Sequence, residues 1–411
     1  MDFYTIFAII ITIAIGVSYV NLRFIGMPMT IAVMFAALLI SMILLISEHL
    51  GFHTIGHRVV LLTNKVNFHD FLINGILSYL LFAGGLSINL QHLKSKKWEI
   101  SILASLGTIA SALLVGTATY YLLDFIGIKL DYIYCMLFGA LISPTDPIAV
   151  LALFKALKAP KETSVLLEGE SLFNDGVGIV IFLTIYQVAF QHVPPTFTSV
   201  SLLFLKQAIG GIAFGYIVGW IVIKLMKPIS DVHMTVLLTL TVVTGGYAFA
   251  DFLGLSGPLA MVVAGIVIGN IGKQRYLSER QDQYLAQFWE ILDEILNAVL
   301  FLMIGFELLV IKIGGLQLLA GLLAIPLVLF IRFLTVSVPL AFMKHKRTEY
   351  WAMTVLLTWG GLRGGLAVAL ALALPVGDYR QIILTMTYCI VVFAILVQGM
   401  TVKPLIKKCI Q

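Results

Sequence analysis

Charge is what this chain lacks most: Asp, Glu, Lys and Arg make up 11% of its 411 residues, against 60% hydrophobic residues and a mean hydropathy of +1.03. A typical soluble domain carries about 25% charged residues, so that class is excluded and a polytopic membrane protein is left. Cysteine is nearly absent as well. Cys135, Cys389 and Cys409 are scattered, odd in number and without metal-ligand spacing, which argues against a disulfide framework or a zinc site and leaves them as packing residues. No H-E-x-x-H or serine-nucleophile motif occurs. The first apolar run, Phe3 to Val20, has no basic leader and no small-residue cleavage site, so it is expected to be a retained helix, not a signal peptide.

Turn residues and charges divide the rest into runs of about 20 residues, the length needed to cross a hydrocarbon core of about 30 Å. Thirteen spans are expected: 3–20, 28–46, 70–91, 98–123, 132–154, 163–190, 200–226, 233–252, 256–271, 284–310, 314–343, 350–374 and 378–402. The net charge of +5 follows this alternation, with no sign of a nucleic-acid surface. Eighteen of the 26 basic residues fall in loops on one side, among them Arg23, Lys94, Lys161, Lys227, Arg275 and Lys403. The opposite side has Arg58, Lys65, Lys129, Lys312 and Arg380, while Lys206, Arg332 and Arg363 lie inside spans. By the positive-inside rule the N-terminus is outside and the C-terminus cytoplasmic.

The chain also repeats itself. LLFAGGLSINL (80–90) is echoed by VLFLMIGFELL (299–309), and GAL with IAVLAL (139–141, 148–153) by GLR with LAVALA (361–363, 366–371). Both matches are seven spans apart. An odd offset reverses direction through the membrane, which predicts two inverted six-helix repeats joined by the seventh helix, a transporter architecture.

Within the fifth span, Ser143-Pro144-Thr145-Asp146-Pro147 removes backbone donors and disfavours continuous helix. Gly360-Gly361-Leu362-Arg363-Gly364-Gly365 is the matching weak point of the twelfth. Broken helices 5 and 12 are therefore expected to cross near the midplane, with Asp146 neutralising amide ends and Arg363 carbonyl ends. In the sixth span, Glu170 and Asn174, like Ser171 and Asp175, are four residues apart and share a helical stripe. A carboxylate at this depth costs roughly 2.5–3.5 kcal/mol by insertion scales and marks a functional site by default. Asp175, Ser171 and Thr145 offer hard oxygen donors suited to a Na+-like cation. Glu170 needs a counter-charge, for which Arg363 is the expected partner.

Other signals are weaker. Gly211, Gly215 and Gly219 form a small-residue face for helix packing. Glu290, Asp293 and Glu294 at the start of the tenth span either draw cations toward a funnel or form a solvated helix start, and Asn297 lies deeper as a polar contact. His49, His53, His57 and His69 are expected to face water in the outer loop.

The S-P-T-D-P, E-S-L-F-N-D-G (170–176) and G-G-L-R-G-G segments resemble those of monovalent cation:proton antiporters of the sodium/proton exchanger type, in the bacterial NhaP-like branch, and the resemblance covers the whole chain. It implies a homodimer in the lipid bilayer. Residues 3–91 and 233–310 would form the dimer domain, 98–190 and 314–402 the mobile core, and 200–226 the linking helix. It places the ion-binding aspartate on Asp175, its supporting residues on Asn174, Ser171, Glu170, Thr145 and Asp146, and the unwound-helix arginine on Arg363. Few residues follow Val402, so regulation through the long cytoplasmic tail of animal relatives is not expected.

The function expected is secondary active exchange of one Na+ or Li+ for one H+, without a cofactor and without enzymatic catalysis, in a prokaryotic cytoplasmic membrane. Cation and proton would compete for Asp175. K+/H+ exchange on the same fold is the alternative. A channel suits the single buried site and inverted repeat less well, and an intramembrane protease using Asp146 and Asp175 least.

Overall fold

The computed structural model describes residues 3–49, 75–157, 161–191, 194, 196–307, 314–343 and 347–410. Among them the fold is all-helical, with one isolated backbone bridge and no longer strand. We number the helices α1 (Phe3–Val20), α2 (Met29–His49), α3 (Ser78–Ser87), α4 (Lys97–Phe125), α5 (Tyr132–Ile142), α6 (Ile148–Leu157), α7 (Lys161–Phe190), α8 (Phe197–Met226), α9 (Val232–Phe252), α10 (Gly257–Val267), α11 (Glu279–Glu307), α12 (Gly315–Ala341), α13 (Arg347–Gly360), α14 (Gly365–Leu372), α15 (Asp378–Phe393) and α16 (Gly399–Ile410). A π-helical segment, Ala394–Gln398, joins the last two into one continuous rod. Seven of the described rods are long and apolar enough to cross a membrane. His53, His57 and His69 lie outside the described residues.

Local chemistry sets the helix starts. Thr196, Asp231 and Ser256 cap α8, α9 and α10 by accepting from the backbone N–H groups of Ser199, Met234 and Leu259. Pro258 in the first turn of α10 has no N–H to leave unsatisfied there. The ends expected at 271 and 402 run on to Arg275 and Ile410, the latter with Pro404 inside the helix.

Small residues bring the rods together. Gly211, Gly215 and Gly219 pack against Ser256, Ala260 and Ala264 of α10, so the backbones of α8 and α10 nearly touch. Gly265 of α10 and Gly269, in the π-helical segment Ile268–Gly272 that continues it, meet the carbonyls of Phe82 and Leu86 in α3. In α4 and α5, Gly116 and Gly139 interlock in the same way. Gly305 of α11 rests on Ala37 of α2, and Ser41 Oγ donates to its carbonyl at 2.8 Å.

The span expected at 350–374 is two helices, α13 and α14, and that at 132–154 is likewise α5 and α6. Between the halves the two extended segments cross. Asp146 N–H donates to Leu362 O at 2.8 Å, forming the isolated antiparallel bridge. This bond satisfies backbone groups that the interrupted helices cannot, which is the condition for irregular backbone at membrane depth.

Candidate functional site

The site is built where α7 passes the crossing. Gly178 lets α7 press on the ring of Pro144, because a Cβ there would occupy the space of the proline. One helical turn back on the same helix, Asn174 reaches the first broken segment. Its Nδ2 donates to Thr145 Oγ1 at 2.8 Å, and its Oδ1 accepts from Thr145 N at 3.3 Å. Ser171 Oγ donates to the Thr145 carbonyl. Both Asn174 and Thr145 are buried, so these bonds are shielded from bulk water. The structure thus brings Thr145, Ser171 and Asn174 together, with Asp175 following Asn174 on the same helix.

Glu170 sits at the other end of the stripe, fully buried, and Asn174 Nδ2 donates to its Oε1 at 2.9 Å. Its counter-charge is Arg332 of α12: Nη1 donates to Oε1 at 2.8 Å and Nη2 to Oε2 at 2.7 Å. The expected Glu170–Arg363 pair is therefore corrected. Arg363 points across the crossing and donates from Nη1 to the carbonyls of Ser143 and Pro144, the latter at 2.8 Å. The physical reason is local: α5 ends at Ile142, so carbonyls just past its end have lost their helical donors, and the guanidinium nearest to them serves them. Arg332 was visible in the sequence only as an arginine in an apolar run, the same kind of signal as Asp175, with nothing to say which carboxylate it would meet.

Asp146, whose backbone makes the bridge, has its carboxylate packed against Gly364 just before α14 begins. Negative charge at a helix start is stabilising, so Asp146 and Arg363 compensate the two kinds of broken end with opposite signs. Asp175 is half-buried, and its charged neighbours are the carboxylates of Asp146 and Glu170. Glu170 is thus paired with Arg332, while no ion pair to Asp175 is formed among the described residues. Among the described residues no His/Cys/Asp/Glu cluster could hold a resident metal ion.

The acidic start of α11 divides. Glu290 and Glu294 are exposed, whereas Asp293 is half-buried, hydrogen-bonded to Asn297 and within electrostatic reach of Asp146. Farther along that face Leu300 and Ile304 press on Gly365, so α11 borders the crossing.

The family model for the transmembrane sodium/hydrogen exchanger matches residues 8–408. The Na(+)/H(+) antiporter NhaP of Pseudomonas aeruginosa is 42% identical over 395 residues, covering 95% of this chain and 93% of the relative. The Na(+)/H(+) antiporter NhaH of Halobacillus aidingensis is 36% identical over 352 residues, 84% of this chain and 85% of its own. Among solved structures, the sodium proton antiporter MjNhaP1 of Methanocaldococcus jannaschii superposes with a TM-score of 0.68 at 21% identity, over 93% of this chain and 99% of that one.

Proposed function

Because the chain belongs to the sodium/hydrogen exchanger family, we propose that it exchanges Na+ for H+ across the membrane, with the two ions competing for Asp175. The observation that carries the site assignment is the division of labour among the carboxylates. Glu170 is neutralised by a two-bond arginine clamp, Asp146 is held at the crossing against Gly364, and Asp175, one turn beyond Ser171 on α7, has no arginine or lysine clamp among the described residues. A dehydrated Na+ would take Asp175 together with Ser171 Oγ and the Thr145 oxygens, all hard donors.

Coupling follows from the energetics of depth. An empty Asp175 is an anion, which costs about 2.5–3.5 kcal/mol or more in the apolar interior, while the protonated or Na+-loaded forms are neutral. Only loaded forms cross readily, so the site must exchange one ion for the other. With Asn174 in place of a second aspartate, and Glu170 fixed by Arg332, one titrating group serves the transport cycle, giving electroneutral one-for-one exchange.

The finer architecture belongs to the same proposal: thirteen spans in two inverted six-helix repeats joined by α8, N-terminus outside, C-terminus cytoplasmic. Reciprocal packing supports it. α3 packs on α10 as α11 packs on α2, and α4 on α5 as α12 on α13, which are the exchanges that a seven-span offset requires. The helices of 98–190 and 314–402 would move as a core against those of 3–91 and 233–310. The latter would form the homodimer, in a prokaryotic cytoplasmic membrane as the bacterial relatives suggest. K+/H+ exchange is the weaker reading, since the relatives above are sodium/proton antiporters by name.

The test is proton flux in sealed proteoliposomes on adding Na+, Li+ or K+, with wild type beside Asp175→Asn and with membrane potential clamped and unclamped. Sodium-driven flux that is indifferent to potential and lost in Asp175→Asn is expected. Potential-driven flux would overturn the stoichiometry, full exchange by Asp175→Asn the site, and K+-only flux the sodium reading.

A further inference from the structure

Arg332 has one donor that its partners do not use. Nη1 and Nη2 serve Glu170 and the Leu357 carbonyl, but the buried Nε has no hydrogen-bond partner among the described residues. The residue is 6% exposed, so bulk water does not reach this N–H. A buried donor left without an acceptor is rare in folded proteins, and where no protein group serves it an ordered water usually does.

The surroundings fit such a water. Arg332, Gly361, Arg363 and Gln398, walled by Val328 and Phe393, line a cavity of about 10 Å³, close to the room one water needs. Gly361 keeps it open, since a Cβ at that position would stand 3.0 Å from Arg332 Nε and 3.1 Å from Nη2. On the far wall, Gln398 is 2% exposed and closes the π-helical segment Ala394–Gln398. π turns of this kind recur at functional sites. Gln398 Nε2 donates to Trp359 O at 3.1 Å, which commits the amide nitrogen and leaves the amide oxygen as the acceptor of this lining side chain.

We propose that this cavity is a hydration site in which one water accepts from Arg332 Nε and donates to Gln398 Oε1, making Gln398 a positioning residue for the cation site. The guanidinium is then held along two edges, by Glu170 on one and by the water on the other. Its orientation passes through Glu170 to Asn174 and from there to Thr145. Two neighbouring guanidiniums would also suit a halide ion, but Glu170, Asp146 and Asp175 outnumber Arg332 and Arg363, so the crossing offers no surplus positive charge. The inference rests on the antiport reading only where cation affinity is its readout.

Two arms test it. In maps of the wild-type protein sharp enough to resolve other buried waters, one density peak is expected between Arg332 Nε and Gln398. An empty cavity overturns the proposal, and so does an anomalous bromide signal at that point after chloride is replaced by bromide. In the second arm, Gln398→Met keeps the side-chain volume but removes the acceptor together with the Nε2 bond to Trp359 O, and Gly361→Ala fills the cavity while leaving Gln398 and that bond intact. Each is expected to raise the KM for Na+ by about two- to tenfold, the range of one neutral hydrogen bond, with the maximal rate changed less. An unchanged KM in either folded variant overturns the positioning role. Absence of sodium-driven flux in wild type would count against the antiport reading alone, because the map arm does not use transport.

Discussion

Arg332 grips both carboxylate oxygens of Glu170, and the same Nη2 that reaches Oε2 at 2.7 Å also donates to the Leu357 carbonyl at 3.2 Å. One guanidinium thereby ties α12 to α7 and to the last turns of α13 before its break. The pair is buried on both sides, with side-chain exposures of 7% and 0%. Removing one member of such a pair strands a charge and costs about 3–5 kcal/mol, whereas replacing both by neutral groups is far cheaper. Arg332→Met is expected to lower the unfolding temperature in detergent sharply, and Glu170→Gln combined with Arg332→Met to recover most of the loss. A double variant as unstable as the single would contradict this account of the clamp.

Asn174→Asp is expected to fail, although it adds only a carboxylate where an amide stood. Asn174 Nδ2 donates to Thr145 Oγ1 and to Glu170 Oε1. An ionised aspartate can donate to neither, and it would face Glu170 as a like charge. Each lost or unsatisfied buried bond costs about 1–3 kcal/mol. Thermal unfolding should show a clear loss of stability and proteoliposome flux a loss of exchange; wild-type values in both would show that the amide is not the connector described above.

The glycines of α8 should not respond alike to alanine. At Gly215 the added methyl would fall on the Ala260 carbonyl, a backbone group that cannot move aside, while at Gly219 the approach is less severe, to Val267 Cγ1 at 3.0 Å and the Ala264 carbonyl at 3.2 Å. Gly215→Ala is predicted to be the more destabilising of the two in detergent melts. Equal effects would mean that α8 shifts on α10 as a unit.

A methyl group at Gly364 would lie 2.6 Å from Asp146 Cβ and 2.9 Å from its Cγ, inside the crossing itself. Gly364→Ala is expected to abolish sodium-driven flux in protein that still inserts and folds. Gly245, which has nothing within 4 Å of an added Cβ, supplies the control: Gly245→Ala should keep full flux. Retained activity in Gly364→Ala would show that the carboxylate can leave its place without consequence.

Several features were legible before any coordinates. The polar stripe of α7 is visible because four-residue spacing fixes which side chains share a helical face, whatever the helix packs against. Pro144, Pro147 and the glycines at 360–365 announced the two breaks, since proline and glycine act on the backbone locally. The small-residue face of α8 was equally plain, although its partner, α10, was not. What could not be read was the pairing of charges. Arg332 and Arg363 both stand in apolar runs, and local pattern does not say which carboxylate or carbonyl each one meets.

The sequence by itself determined that this is an all-helical membrane chain with two interrupted helices and an ionisable stripe, because length, hydropathy and backbone restriction act within a few residues. Tertiary structure alone decided that Glu170 meets Arg332 and that Arg363 serves the carbonyls of Ser143 and Pro144. A guanidinium reaches only what lies within a few ångströms. Residues 162 positions apart become neighbours through helix packing that local pattern does not encode.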